Sequence, residues 1–299
     1  MPITKYYKLE TKMMNLINNK SLRSLSQIFT PSAIRQVVKN FEFEFHKRKV
    51  CKHLEYVDST DFTDVIKFVY AKLEANYRNE YVYKNSLLNQ KLLSEHSLEN
   101  TIVLDEFRIG NSIADFVLLN GEVRIFEIKT DLDGFEKLVK QIEDYQKFAN
   151  KVFVVIGHKN SKKVFENYKN SPVGIIAYTN EGKLETVKEA INFTDNFNHS
   201  TIFKTLRKSE YLAIIKKHFG FIPEVPNTLI FKECLAMASS IEIIEFQQLV
   251  FYKLKQRKLK CSELLKSEET PKELKHICYT LNLSDDEYKN LYNYLNTKI

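Results

Sequence analysis

The strongest constraint on the fold is the stretch from Ile102 to Lys129, where three short apolar segments are separated by two turn pairs, Gly110-Asn111 and Asn120-Gly121. Alternating, β-branched and aromatic residues bounded by Gly and Asn favour strands joined by tight turns. Strands are therefore predicted over Ile102 to Phe107, Ser112 to Leu119 and Glu122 to Lys129. Three charges, Asp115, Glu127 and Lys129, interrupt the last two strands. A charge on the core-facing side of a sheet is costly unless something pairs with it, so these residues are candidates for a metal site.

Whether they can meet depends on the turn. Glu127 and Lys129 are two apart on one strand and share a face. A two-residue Asn120-Gly121 loop would set Asp115 opposite Phe126, on the other face from Glu127. A three-residue loop, Leu119-Asn120-Gly121 with Gly121 left-handed, would set Asp115 opposite Ile125 and bring all three to one face. The site thus requires an odd loop or a bulge.

The flanking segments read as helices and further strands. Helices are predicted over Phe62 to Tyr77 and Lys84 to His96. After the hairpin, Asp133 and Glu136 have the spacing of a capping box, and Phe135, Leu138, Ile142, Tyr145 and Ala149 form an apolar helical stripe. Val152 to Ile156 is a continuous apolar run, as expected of a strand buried on both faces. Val173 to Tyr178 is another strand, and Asn180-Glu181-Gly182 turns into a short one near Leu184.

Residues 1 to 57 read as helical and basic, with Met13, Leu16 and Ile17, then Ile34, Val37 and Val38, at helical spacing. Their cluster His46-Lys47-Arg48-Lys49, with Lys52-His53, is either a solvated helix face or a phosphate-contacting patch. Beyond residue 193 only helices are expected: Ile202 to His218, Thr228 to Ser239, Ile241 to Lys258, Pro271 to Leu281, and Ser284 to Thr297, the last opened by a Ser284/Glu287 capping box. The division expected is an N-terminal helical segment, 1–57, an α/β core, 58–192, and a C-terminal all-α domain, 193–299.

Composition narrows the classes. A chain of 299 residues suggests roughly two domains. The net charge of +7 is compatible with a polyanionic partner, although spread over the whole chain it speaks more to solubility. The four cysteines show no Cys-x-x-Cys spacing, which disfavours a zinc knuckle or a disulfide framework. No leader-like or membrane-length apolar run is present, so a cytoplasmic protein is expected. No glycine-rich phosphate loop is present, which argues against an NTP-driven motor.

The residue types at the hairpin suit a hard divalent cation. Mg²⁺ or Mn²⁺ takes oxygen ligands, here Asp115, Glu127 and the carbonyl of Ile128. Such an ion lowers the pKa of bound water, and Lys129 can orient that water or offset transition-state charge.

The pattern Asp115 followed by Glu127-Ile128-Lys129 resembles that of the PD-(D/E)XK nuclease superfamily, with Ala114 where a Pro often precedes the Asp. The predicted order from about 62 to 157 matches its restriction-endonuclease-like αβββαβ core with a mixed sheet. The segments Asn79 to Asn85 and Glu127 to Asp133, with Gln141 and Tyr145, look like an uncharacterised branch of bacterial and phage nuclease-like proteins. The resemblance implies metal-dependent hydrolysis of nucleic acid, most readily DNA, in phage defence or a mobile element. It also implies a supporting metal ligand at Glu80 and a catalytic-side role for Gln141, within a Gln-x-x-x-Tyr element completed by Tyr145. Arg108, Lys137 and Lys140 are candidate phosphate contacts, and the C-terminal helices are expected to bind substrate, form a homo-oligomer or dock a partner protein. The alternative is a catalytically degenerate nucleic-acid-binding or protein-interaction module.

Overall fold

The computed structural model describes residues 18–54 and 60–299, so the predicted stripe Met13, Leu16 and Ile17 lies outside the described residues. Along the chain run α1 (Asn19–Leu25), α2 (Pro31–Asn40), α3 (Glu44–His53), α4 (Phe62–Asn76) and α5 (Glu80–Leu87). The predicted helix from Lys84 starts earlier, at Glu80, because the Asn79 side chain accepts a hydrogen bond from the Val82 N–H. It then passes into a π-helical turn, Leu88–Leu93.

Three strands follow, β1 (Ile102–Ile109), β2 (Ser112–Asn120) and β3 (Glu122–Lys129), then α6 (Leu138–Tyr145), β4 (Lys151–Gly157), α7 (Ser161–Tyr168), β5 (Gly174–Tyr178) and β6 (Leu184–Lys188). The rest is helical: α8 (His199–Phe203), α9 (Lys208–Phe219), α10 (Asn227–Ala238), α11 (Ile243–Leu254), α12 (Ser262–Lys266), α13 (Lys275–Leu281) and α14 (Asp285–Leu295). The predicted helix Ile202 to His218 divides into α8 and α9, because the Glu210 side chain accepts from the Arg207 N–H at 2.6 Å and starts a new helix. The Ser284/Glu287 capping box is present at α14. Among the described residues no helix is long and apolar enough to cross a membrane.

The fold is mixed α/β. One six-stranded sheet has the order β1-β2-β3-β4-β5-β6. The first three strands are antiparallel, β3, β4 and β5 are parallel, and β6 returns antiparallel. The parallel step from β3 to β4 needs a crossover, and α6 provides it. No residue beyond 188 contributes a strand to this sheet.

The chain divides into two units, residues 1–94 with 259–299, and residues 95–258. This differs from the expected boundaries at 57 and 192: the helices after residue 193 are shared between the units. In the first unit the C-terminus clasps the start of α4, where Phe62 N–H donates to Thr297 O at 3.1 Å and Thr63 Oγ1 to Leu295 O at 3.0 Å. Contacts this distant in sequence carry no local pattern. The expected basic cluster on α3 is only partly a surface feature. His46 is buried with Nε2 3.0 Å from Ile28 O, and burial lowers its pKa to about 4, whereas Lys47, Arg48 and Lys52 are exposed.

In the second unit, the residues Val123 and Ile125 of β3, Val152, Val154 and Ile156 of β4, and Val117 and Leu119 of β2 form one core with Leu138, Ile142 and Tyr145 of α6 and residues of α8 to α11. The opposite face of the sheet carries Phe116, Phe126 and Phe153, the last two with rings stacked at 5.1 Å.

Candidate active site

Strand alternation places Glu127 and Lys129 on the face that carries Val123 and Ile125, directly beneath α6. Both charges are removed from water, with Glu127 only 1 % exposed. Such burial is tolerable only with partners, and the partners are present. Lys129 Nζ donates to Glu127 Oε1 at 2.7 Å and to Gln141 Oε1 at 2.9 Å, while the Tyr145 hydroxyl donates to Glu127 Oε2 at 2.7 Å. Gln141 and Tyr145 lie one helical turn apart on α6 and reach the same pair. Tyr145 therefore fills the apolar stripe and holds the carboxylate at once. Burial, then the charge of Glu127 and that of Asp115, push its pKa far above the ordinary tyrosine range, so it remains a proton donor in these bonds.

Asp115 reaches this region through a hairpin register that differs from the expected one. Asn120 pairs with Glu122 and Phe116 with Phe126, leaving Gly121, at φ 68°, alone in the turn. A left-handed backbone at that point favours glycine. The register is shifted by two residues from the predicted three-residue loop, and a two-residue shift preserves the face. Continued one step past its last pair, it sets Asp115 opposite Glu127. There the ladder stops. Asp115 Oδ2 instead accepts from the Ile128 N–H at 2.7 Å, so a side chain takes the place of a strand partner.

The same step is distorted on its other side. Glu106 and Asp115 are the one opposed pair missing from an otherwise continuous β1–β2 register, and Glu106 has φ 49°. A left-handed glutamate costs roughly 1 kcal/mol or more. Both strands change face here, so that Ala114 and Ile109 join the core that holds Val117 and Leu119. The outcome is that Glu106 and Asp115 bring carboxylate oxygens within 4.8 Å of each other. Glu106 was not singled out from the sequence. An acid in an exposed strand position carries no signal, and the left-handed turn at a non-glycine residue leaves none either.

The remaining site residues fall as follows. Arg108, Lys137 and Lys140 are exposed. Glu80 stands in the first turn of α5, in the other unit, paired to Lys84 at 2.7 Å. The predicted Asp133/Glu136 capping box does not form. Asp133 Oδ2 accepts from the N–H and hydroxyl of Thr130, which folds Asp131 to Lys137 into turns and delays α6 to Leu138. An acid of α6, Asp144, ties down the β1–β2 turn, accepting from Ser112 Oγ at 2.8 Å and from Asn111 N–H at 3.2 Å. A side chain at Gly110 (φ 60°) would collide with that carboxylate.

Comparison with known proteins places the whole of this site inside one matched span. The family described as Bacteriophage P4 protein cII matches residues 73–277. The chain belongs to that family. Protein cII of Enterobacteria phage P4 is 23 % identical over 195 residues, which are 60 % of this chain and 64 % of that protein, so the match covers just under two thirds of the relative's length. A solved structure, the SPO1766 protein of unknown function from Silicibacter pomeroyi, matches 42 % of this chain and 86 % of its own at 14 % identity, with a TM-score of 0.28. The span shared with the family holds Glu106, Asp115, Glu127, Lys129, Gln141 and Tyr145.

Proposed function

We propose that the chain is a metal-dependent nuclease with a PD-(D/E)XK-type site and a restriction-endonuclease-like core, acting on DNA. The observation that carries this reading is the buried Glu127–Lys129 pair, held by Gln141 and Tyr145 from α6 beside the interrupted ladder at Asp115. A core that needed only packing would be served as well by apolar residues at 127 and 129.

The donor set suits Mg²⁺ or Mn²⁺. Asp115 and Glu127 offer carboxylate oxygens, and each Glu127 oxygen keeps lone-pair capacity beyond its present bond. Strand geometry turns the Ile128 carbonyl to the same side as its N–H, toward Asp115. Glu106 adds a carboxylate in reach of Asp115. This ligand set is built from residues 95–258. When bound, the ion would lower the pKa of a coordinated water and offset charge on the phosphate under attack.

The protein's own groups do the rest. Lys129 carries a fixed positive charge to the reacting centre, aimed by Gln141. Tyr145 fixes the Glu127 carboxylate from behind, as partners of metal ligands commonly do. Arg108, Lys137 and Lys140 supply phosphate contacts.

The test is incubation of purified protein with linear, circular and single-stranded DNA, with Mg²⁺, with Mn²⁺ and with chelator, beside a Lys129→Ala control. Cleavage that requires the cation and Lys129 is expected. DNA binding with no cleavage under any of these conditions would replace this reading with that of a binding module.

A further inference from the structure

A groove of about 310 Å³ lies between α9 and α11, in the second unit and apart from the residues assigned above. Its wall on α9 is Ile214, Lys217 and His218, and on α11 Leu249, Tyr252 and Lys253. Helical spacing accounts for both walls: 214, 217 and 218 share one stripe, as do 249, 252 and 253. The volume sits at the lower end of the ~300–1,000 Å³ typical of small-ligand sites.

Its chemistry is selective. The apolar part of the lining comes from Ile214 and Leu249. Tyr252 is 62 % exposed, on a helix that otherwise buries Phe246, Val250, Phe251 and Leu254. The lining contains two lysines and a histidine but no carboxylate. Among the described residues Lys217 has no ion-pair partner and Lys253 bonds only the neutral Gln256. Glu245, outside the lining, stands 3.6 Å from His218 Nδ1. An exposed aromatic face beside uncompensated cations is complementary to a flat ring that carries an anion.

We infer that this groove binds a nucleotide unit, with the base stacked on Tyr252 and the phosphate held by Lys217 and Lys253. The choice of a nucleotide over another aromatic anion rests on the nuclease reading; the groove itself does not. The unit can come from a single strand of nucleic acid or from a free mononucleotide.

Fluorescence anisotropy in chelator separates these, with a labelled oligothymidylate of about twelve nucleotides and unlabelled dTMP as competitor. Without a divalent cation, binding is read independently of cleavage. Tyr252→Ala is expected to weaken strand binding about tenfold and Tyr252→Phe to leave it unchanged. Replacing Lys217 and Lys253 by Gln should flatten the slope of log K against log salt by about 1.4. Competition by dTMP that disappears in Tyr252→Ala identifies a free-nucleotide site. Groove-dependent strand binding without such competition identifies a strand site. If Tyr252→Ala and the double lysine variant bind like the wild type, or the wild type binds neither probe, the inference is overturned. A chain that never cleaves yet binds through this groove would lose the nuclease reading and keep this one.

Discussion

Asn85 and Glu127 are buried to nearly the same degree, 2 % and 1 % exposed, and they are held in different ways. Asn85, in the first unit, bonds to the backbone of a distant segment. Its Nδ2 donates to Lys272 O and to the Tyr70 hydroxyl, and its Oδ1 accepts from the His276 N–H, all at 3.0 Å. Glu127, in the second unit, bonds only side chains, one of them a cation. The first arrangement satisfies backbone groups that burial would otherwise orphan. The second gathers charge where apolar residues would have packed as well. A buried polar group that ties down backbone argues for architecture, whereas one that gathers other side chains argues for chemistry.

The sharpest way to break this comparison is at Lys129. Lys129→Ala should reduce cleavage about a thousandfold, with the second unit still folded by circular dichroism. Loss of the fold without any measurable wild-type activity would make the pair architectural too.

Asn85→Ala should do the reverse. Stranding the His276 N–H, while Asn89 Nδ2 still donates to the Lys272 carbonyl, should cost about 1–2 kcal/mol, seen as a lower midpoint in urea, with cleavage per folded molecule unchanged. Loss of activity well below the unfolding midpoint would show that the contrast between the units is misdrawn.

Tyr145→Phe tests the overlap of the two roles. It keeps the ring in the core and removes one hydrogen bond to Glu127. The expected cost is about 1–2 kcal/mol of stability, together with a fall in kcat larger than any change in KM. An unchanged kcat would reduce Tyr145 to packing.

The smallest effect concerns Asp144. Burial raises its pKa, but the bonds from Lys147 and Ser112 outweigh that and hold it below the usual carboxylate range. A carboxylate depressed in the folded state stabilises above the unfolded value of about 3.9 and loses that contribution as pH falls through the folded value. Asp144→Asn should therefore melt lower than wild type at neutral pH, with the gap closing in acid. A gap that stays constant with pH would assign the loss to packing at the Gly110 turn.

The strands were legible because Gly110-Asn111 and Asn120-Gly121 bracket apolar alternation, and Glu127 and Lys129 were legible because they break it. The hairpin register was not, since nothing local distinguishes a turn on Gly121 alone from a longer loop. The Asp133/Glu136 signal misled because Thr130, with both an N–H and a hydroxyl to offer, competes for the same carboxylate. The helix α7 was missed because its N-cap, Asn160, makes no side-chain capping bond and the helix buries only Val164. Glu106 depends on a kink shared by two strands, which no spacing rule encodes.

The most direct test of the central claim is titration calorimetry with Mn²⁺ on three proteins: wild type, Lys129→Ala and Glu127→Gln. The lysine is assigned to charge at the reacting centre and the glutamate to the ion. Wild type and Lys129→Ala should therefore bind Mn²⁺ comparably, while Glu127→Gln should lose at least about tenfold in affinity, since an amide cannot supply the carboxylate charge. Equal Mn²⁺ affinity in wild type and Glu127→Gln would contradict the assignment of this carboxylate as a metal ligand.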